Sequence, residues 1–256
     1  MSADQSYLDA LSGGRVAYRR LHGTPPGVVF LGGFMSDMSG RKACALEEYC
    51  RSANRAFVCF DYRGHGLSSG SLMDCGFDTW LEDSVNVLDA LTEGPQILIG
   101  SSMGAWIMTR CLELRPDRIG AAIGIGAAPD FLAAAALELD AAQRVSLEER
   151  GFCELPTRYV DAPYRLTRRL LESARAHDVL SRRIPFRGPV RLLHGLADAD
   201  VPWMRSAALA QSLDCPDLEV RLIAHGDHRL SSDRDLQRLC DVLGEVVAIV
   251  SLEDMT

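Results

Sequence analysis

The sequence predicts an α/β protein in which helices flank a mostly parallel central sheet. The main observation is an alternation of short apolar runs, rich in Val, Ile and Leu, with longer segments of helical periodicity. Such alternation is typical of parallel strands that are joined by crossover helices. The second observation is length, because 256 residues can bury a large core and α/β folds often reach this size as one domain.

The first half of the chain contains five predicted strands and three predicted helices. The first strand is expected at an edge of the sheet, the second (VVFLGG) is a buried run that ends in glycines, and the third helix is stopped by Pro116. The helix before it has Trp80, Val87 and Leu91 at helical spacing. The strands are predicted at 15–21, 28–33, 56–60, 96–100 and 119–127, and the helices at 39–53, 77–91 and 103–114.

The alternation stops in the middle of the second half. Residues 129–188 are rich in Ala and Arg, mostly helical in pattern, and contain no convincing core strand. An insertion between two strands of a sheet is best explained as a cap over the carboxyl edge of that sheet. The alternation then resumes, with predicted strands and helices at 190–194, 203–212, 219–224 and 233–251. We therefore expect one domain, residues 1–256, with its core in 1–128 and 189–256 and a cap at about 129–188.

Composition and charge exclude several classes of function. The net charge of −8 and the pI of about 5.3 argue against a nucleic-acid partner, which needs a dense positive surface. The chain has no apolar run of about 20 residues, so no membrane span is expected. Its start has neither a basic nor an apolar targeting segment, and its eight cysteines form no C-x-x-C pair. These features predict reduced thiols, a cytoplasmic protein and no metal site.

The strongest motif is Gly100-Ser101-Ser102-Met103-Gly104, a G-x-S-x-G sequence between an apolar strand (QILI) and a helix (AWIMTRCLEL). A serine on such a sharp strand-to-helix turn is presented clear of the sheet. The strand and the helix approach closely there, so the residues two before and two after the serine must be small. Gly100 and Gly104 flank Ser102 in this way, and Ser101 has no such flanks. The pattern predicts Ser102 as a nucleophile, with Ser101 in a supporting position.

A serine hydroxyl needs a base to remove its proton, and the base needs an acid to orient it. With a serine on this kind of turn, the acid follows in the chain and the histidine comes last. Asp198 follows the strand VRLLHG by one short turn, within an H-G-x-x-D-x-x-V-P arrangement. We therefore favour Asp198 over Asp200 as the acid, and we expect Asp200 to cap the helix that follows.

The last predicted strand leads into His225-Gly226-Asp227-His228. His228 is favoured as the base, because it lies deeper in the loop than His225 and Gly226 lets the loop bend back. The side chain of Asp227 is expected to point elsewhere. His65, in the loop DYRGHG, and His194, at the end of a buried strand, are interpreted as hydrogen-bonded structural residues.

Acyl transfer places negative charge on the substrate carbonyl oxygen, and fixed amide donors stabilise that charge. One predicted donor is the backbone N–H of Met103, directly after the nucleophile. The second is the N–H of Phe34, in the loop Gly32-Gly33-Phe34 after the strand VVFL. An ordinary turn at the strand end would also explain the two glycines.

Several segments together resemble the α/β-hydrolase superfamily: LGGFMSDMSGRKACALEEYC, FDYRGHGLSSG, GPQILIGSSMGAW, VRLLHGLADADVPW and HGDHRL. More narrowly, they are similar to the serine hydrolase subfamily of mitochondrial acyl-protein thioesterases, also described as acyl-glucuronide esterases. The resemblance runs from about residue 28 to the final helix. It implies an α/β-hydrolase fold and the hydrolysis of small-molecule acyl esters or thioesters without a cofactor.

Other functions are compatible with the same fold. A carboxylic ester or thioester hydrolase that works through an acyl-enzyme is the leading hypothesis. A hydrolase of carbon–carbon or amide bonds and a monoacylglycerol lipase are the alternatives within the fold. A non-catalytic ligand-binding relative is a further alternative, but such proteins usually have an incomplete triad, and all three positions are filled here.

The predicted cap is unusually basic. Residues 151–188 contain eight arginines and four acidic residues in a chain of net charge −8. Solvated helix faces would explain this composition, because arginine replaces lysine almost throughout the chain. The alternative hypothesis is that some arginines attract an anionic group of the substrate. Arg165, Arg168 and Arg169, which lie together on a predicted helix, are the candidates.

Overall fold

The computed structural model describes residues 5–157 and 163–253, and these residues form twelve strands and eight helices. The strands are β1 (Gln5–Asp9), β2 (Arg15–Leu21), β3 (Thr24–Leu31), β4 (Arg55–Phe60), β5 (Gln96–Ser101), β6 (Ile119–Ile125), β7 (Phe152–Leu155), β8 (Tyr164–Thr167), β9 (Ile184–Pro185), β10 (Val190–Gly195), β11 (Leu213–Asp214) and β12 (Leu218–Ile223). The helices are α1 (Arg41–Ser52), α2 (Phe77–Leu91), α3 (Met103–Leu114), α4 (Phe131–Glu138), α5 (Ala141–Arg150), α6 (Arg168–Ala174), α7 (Met204–Ser212) and α8 (Asp233–Glu253).

An eight-stranded sheet forms the centre of the protein, in the order β1-β2-β4-β3-β5-β6-β10-β12. The six strands from β4 to β12 in this order are parallel, and β1 and β2 add an antiparallel edge. The carboxyl ends of β5, β10 and β12 therefore lie at one edge of the sheet. This confirms the predicted α/β architecture and brings three distant loops together.

Helices cover both faces of the sheet, because the parallel strands are apolar on both sides. On one face, α2, α3 and α7 pack around fully buried aromatic residues that include Trp80 and Trp106. On the other face, α1 and α8 contribute Leu46 and Leu243 to a second apolar cluster. All eight cysteines are free.

The sheet differs from the sequence-based prediction at one edge. Residues 15–21 were expected to form an edge strand, but β1 pairs with them antiparallel, with Gln5 opposite Arg19. The expectation of an edge position was therefore wrong. Its source is β1 (QSYLD), which was not predicted because it is short and alternates exposed with half-buried residues. It therefore has no apolar run that would identify it as a strand.

The segment between β6 and β10 lies outside the central sheet. It contains α4, α5 and α6, as the helical pattern predicted, but also an antiparallel β7–β8 hairpin that the sequence did not predict. Asp130 anchors the segment: its carboxylate accepts hydrogen bonds from the backbone N–H groups of Val179 and Leu180. Two charged residues of the arginine-rich stretch, Arg158 and Asp161, lie outside the described residues.

Candidate active site

Ser102 lies on a strained turn between β5 and α3. Its backbone has φ 55° and ψ −115°, a region that residues with a Cβ rarely occupy. The turn is held by a hydrogen bond from the Ser102 N–H to the Ile125 carbonyl on the neighbouring strand (2.8 Å) and by one from the Ala128 N–H to the Ser102 carbonyl (3.3 Å). Strain of this kind persists only where the surrounding structure enforces it, and here it directs the Ser102 side chain out of the sheet.

The glycines that flank Ser102 are required by close backbone approach, as the motif predicted. A Cβ on Gly100 would lie 2.4 Å from the Gly104 carbonyl oxygen, and a Cβ on Gly104 would lie 2.1 Å from the Leu31 carbonyl oxygen. Real Cβ atoms do not approach oxygen so closely. Only glycine at both positions lets β5, α3 and the end of β3 meet around the serine.

Three side chains predicted from sequence are linked by hydrogen bonds. His228 Nε2 lies 3.0 Å from Ser102 Oγ, and His228 Nδ1 lies 2.7 Å from Asp198 Oδ2. The Asp198 side chain is buried, whereas that of His228 is 14% exposed and reaches the cavity described below. This arrangement allows the imidazole to take a proton from the serine while the carboxylate orients the ring.

Asp198 is held as a carboxylate. Burial acts to raise its pKa, but hydrogen bonds from His194, His228 and the Val201 N–H outweigh burial and hold the pKa well below its usual range. Asp198 Oδ1 accepts the N–H groups of Asp200 (2.9 Å) and Val201 (2.8 Å). The negative charge is therefore available to balance a protonated His228.

Of the residues that were weighed against these three, Asp200 lies close to them: it lines the cavity described below, and its carboxylate lies within 4.8 Å of the ligand atoms of Asp198 and His228. Asp227 turns away, as expected, and its carboxylate accepts the Leu230 N–H (2.9 Å). His225 is exposed. The expectation that Asp200 caps the next helix was wrong: Trp203 occupies the N-cap of α7, and no side chain caps that helix. Asp200 lies three residues before the N-cap, and its N–H donates to Asp198 Oδ1.

The two predicted oxyanion donors belong to Met103, which follows Ser102 in the chain, and to Phe34, in a loop beside it. Met103 is the first residue of α3, so its N–H has no acceptor within the helix. The loop that carries Phe34 passes beside the serine, because a Cβ added to Gly33 would lie 3.4 Å from Ser102 Cβ. The Phe34 ring packs against Tyr164 of β8 and Phe131 of α4, with ring centroids 5.5 Å and 6.4 Å away.

Ser102 and His228 open into a cavity of about 1030 Å³. The segment between β6 and β10 forms much of its wall through apolar side chains, which include Phe131, Leu132 and Ala135. Further apolar residues of the wall are Phe30, Phe34, Met35, Leu155, Pro156, Tyr164 and Leu166. A cavity that is largely apolar and has a nucleophile at its wall suits an acyl chain.

A cation that the sequence reasoning did not select also lines this cavity. Lys42, the only lysine of the chain, donates hydrogen bonds to the Arg229 carbonyl and to Ser231 Oγ. It thereby ties α1 to the loop of His228. Burial, with a smaller effect of Arg229, lowers the pKa of Lys42 to about 8. Its isolation among arginines was the one signal in the sequence that could have drawn attention to it.

The three arginines singled out from sequence have partners outside the cavity wall. Arg165 lies 3.5 Å from Glu154, Arg169 lies 3.8 Å from Asp78, and Arg168 donates to the carbonyls of Leu147 and Glu148. They do not share a helix as expected, because Arg165 lies on β8 and α6 begins at Arg168. Their positions give no support to contact with substrate.

Two of the three possible metal ligands at this site already have hydrogen-bond partners. Within the described ranges, Asp198, Asp200 and His228 offer ligand atoms within 4.8 Å of one another. The Asp198 and His228 atoms, however, are already bound to each other and to Ser102. The donor set therefore suits proton transfer better than metal binding.

Comparison with known proteins agrees with this geometry. Residues 13–242 match the Alpha/beta hydrolase family, so the chain belongs to that family. The protein is a hydrolase, as predicted, and the names of its relatives agree with the predicted hydrolysis of esters or thioesters.

Individual relatives of the chain are more informative than the family as a whole. The chain is 39% identical over 246 residues to a Mus musculus protein named palmitoyl-protein thioesterase ABHD10, mitochondrial, covering 96% of this chain and 83% of the relative. The solved structure of mouse Alpha/beta hydrolase domain-containing protein 10 superposes with a TM-score of 0.90 at 38% identity, covering 97% of this chain and all of that one. A solved structure from Agrobacterium vitis gives 0.91 at 32% identity and covers 96% and 99% of the two chains.

The relatives correct one prediction from sequence. They are named as mitochondrial proteins, which contradicts the expected cytoplasmic location. Reduced cysteines were a poor guide, because free thiols do not distinguish one reducing compartment from another. Across residues 5–157 and 163–253, no helix is long and apolar enough to cross a membrane.

Proposed function

We propose that the protein hydrolyses long-chain acyl thioesters, and carboxylic esters of the same acids, through an acyl-enzyme on Ser102. The observation that carries this proposal is the hydrogen-bonded series Ser102–His228–Asp198 at the wall of an apolar cavity. Each member lies within the distance that proton transfer requires.

In the first half of the reaction, Ser102 Oγ attacks the thioester carbonyl while His228 Nε2 takes the serine proton. Asp198 balances the imidazolium charge, and the N–H groups of Phe34 and Met103 stabilise the oxyanion. The carbon–sulfur bond then breaks, and His228 returns the proton to the leaving thiolate. In the second half, His228 removes a proton from water as the water oxygen attacks the acyl-serine carbonyl. The acyl–Oγ bond then breaks, His228 returns the proton to Ser102 Oγ, and the carboxylic acid is released.

The acyl chain is proposed to lie along the apolar wall. Burial of each methylene is worth about 0.8 kcal/mol, so a large apolar cavity favours long chains. The relatives named palmitoyl-protein thioesterase agree with a chain of this kind attached to sulfur. We also propose that the described part of residues 129–188 forms a cap, since Phe131, Ala135 and Tyr164 line the cavity from that segment.

The chemistry of the leaving group separates this proposal from its alternatives. An amide hydrolase must protonate a poor leaving nitrogen, whereas a thiolate leaves readily. The test measures kcat/KM for palmitoyl thioester, palmitoyl oxygen ester, monoacylglycerol and palmitoyl amide with wild type, Ser102→Ala and Ser101→Ala. We expect the thioester to be the best substrate, Ser102→Ala to be inactive and Ser101→Ala to retain turnover. Equal turnover of the amide, or an active Ser102→Ala, would overturn the proposal.

A further inference from the structure

A second histidine lies behind the three linked residues. His194, at the end of β10, is fully buried, and its Nε2 lies 3.1 Å from Asp198 Oδ2 and 3.0 Å from the Val201 carbonyl oxygen. Both neighbours of Nε2 can only accept hydrogen bonds, so this nitrogen must carry a hydrogen. The Val201 carbonyl and Asp198 Oδ2, the carboxylate oxygen that faces His228, therefore share the single hydrogen of His194 Nε2.

The other nitrogen of the His194 ring contacts helix α7. His194 Nδ1 lies 2.7 Å from the hydroxyl of Ser206, a fully buried residue of α7. A neutral ring with its hydrogen on Nε2 has a lone pair on Nδ1, and the Ser206 hydroxyl donates to it. The contacts thus run from α7 through His194 to Asp198 and on to His228.

The carboxylate of Asp198 is held from four directions. Oδ1 accepts two backbone N–H groups of its own loop, and Oδ2 faces the two imidazoles. Backbone donors alone would hold only one oxygen. The donor from His194 sets the rotation of the carboxylate, and hence the direction in which Oδ2 meets His228 Nδ1.

We infer that His194 is a positioning residue for hydrolysis, which acts through Asp198 and whose own ring is held by Ser206. This inference rests on the proposed function, because the orientation of Asp198 matters only if His228 is the base. A small error in orientation of such a group can cost up to about 100-fold in rate.

The test compares two substitutions of similar size. His194→Leu removes the donor, whereas His194→Gln can place an amide N–H near the former Nε2. We expect kcat to fall about 10- to 100-fold in His194→Leu, with KM within about twofold of wild type. In His194→Gln we expect kcat to stay within about fivefold of wild type. Substitution of the exposed His225 by Leu is the matched control and should leave kcat within about twofold of wild type.

A double-mutant cycle with Asp198→Ala distinguishes positioning from packing. If His194 acts through Asp198, then His194→Leu should cost nothing further in the Asp198→Ala background. The same loss in both backgrounds, or no loss of kcat in His194→Leu, would overturn the inference. If the His194 variants do not fold, Ser206→Ala takes their place in the cycle with Asp198→Ala. We expect it to lower kcat by about three- to tenfold in the wild-type background. Failure of the proposed function would be visible separately, as turnover by Ser102→Ala.

Discussion

The apolar cavity makes a quantitative prediction about acyl-chain length. Ala135 lies on α4 and lines the cavity, whereas Ala133, on the same helix, is exposed and lies outside the cavity wall. Ala135→Phe places a ring in the space that the distal part of a long chain would occupy. If the ring excludes two or three methylenes from apolar contact, at about 0.8 kcal/mol each, the loss is about 2 kcal/mol.

This energy corresponds to a loss of roughly 30-fold in kcat/KM for a palmitoyl thioester. An acetyl thioester lacks the distal methylenes, so it loses none of this contact and should be turned over within about twofold of the wild-type rate. The assay follows thiol release across a series from acetyl to palmitoyl thioesters, with Ala133→Phe as the matched control. The reasoning is refuted if Ala135→Phe leaves palmitoyl turnover unchanged, or if it slows acetyl and palmitoyl substrates equally.

Three further predictions concern the turn, the acid and the cap anchor. Asp198→Asn should lower kcat by about 10³- to 10⁴-fold, whereas Asp200→Asn should lower it less than tenfold. The reverse order in steady-state kinetics would show that Asp200, and not Asp198, is the acid. Gly104→Ala should lower the free energy of unfolding by about 1–3 kcal/mol or more, because its Cβ would meet the Leu31 carbonyl oxygen, and urea unfolding measures this. Burial and the neighbouring Asp178 raise the pKa of Asp130 to about 7, so the folded chain keeps a proton that the unfolded chain loses above about pH 4. Stability should therefore fall as pH rises through this window, and Asp178→Asn should flatten the dependence of the melting temperature on pH; an unchanged slope would contradict the effect of Asp178 on the pKa of Asp130.

Much of the candidate site could be predicted from the sequence because its requirements are local. The glycines around Ser102 are needed for a turn that five residues define, and the structure places both against backbone atoms. The partners of Ser102 followed from topology, since the loops after parallel strands meet at one edge of the sheet. Asp198 and His228 are 30 residues apart, yet their side chains lie in hydrogen-bond contact.

Other features depend on packing between distant segments, and their contacts could not be predicted from the sequence. The direction of Arg165 and Arg169 is set by how β8 and α6 pack, and neither follows from the spacing of arginines. Lys42 meets its carbonyl acceptor across 187 residues of sequence. The role inferred for His194 was equally hidden, because a buried histidine at a strand end is typical of a structural residue until its neighbours are known.

The most direct measurement for the central claim identifies the residue that carries the acyl group. Wild-type protein is mixed with a palmitoyl thioester, quenched during the first turnover, digested and analysed by mass spectrometry, with Ser102→Ala and Ser101→Ala in parallel. We predict a palmitoyl group on Ser102 in wild type and in Ser101→Ala, and none on this peptide in Ser102→Ala. An acyl group on Ser101 or on another residue, or turnover by Ser102→Ala, would contradict the account.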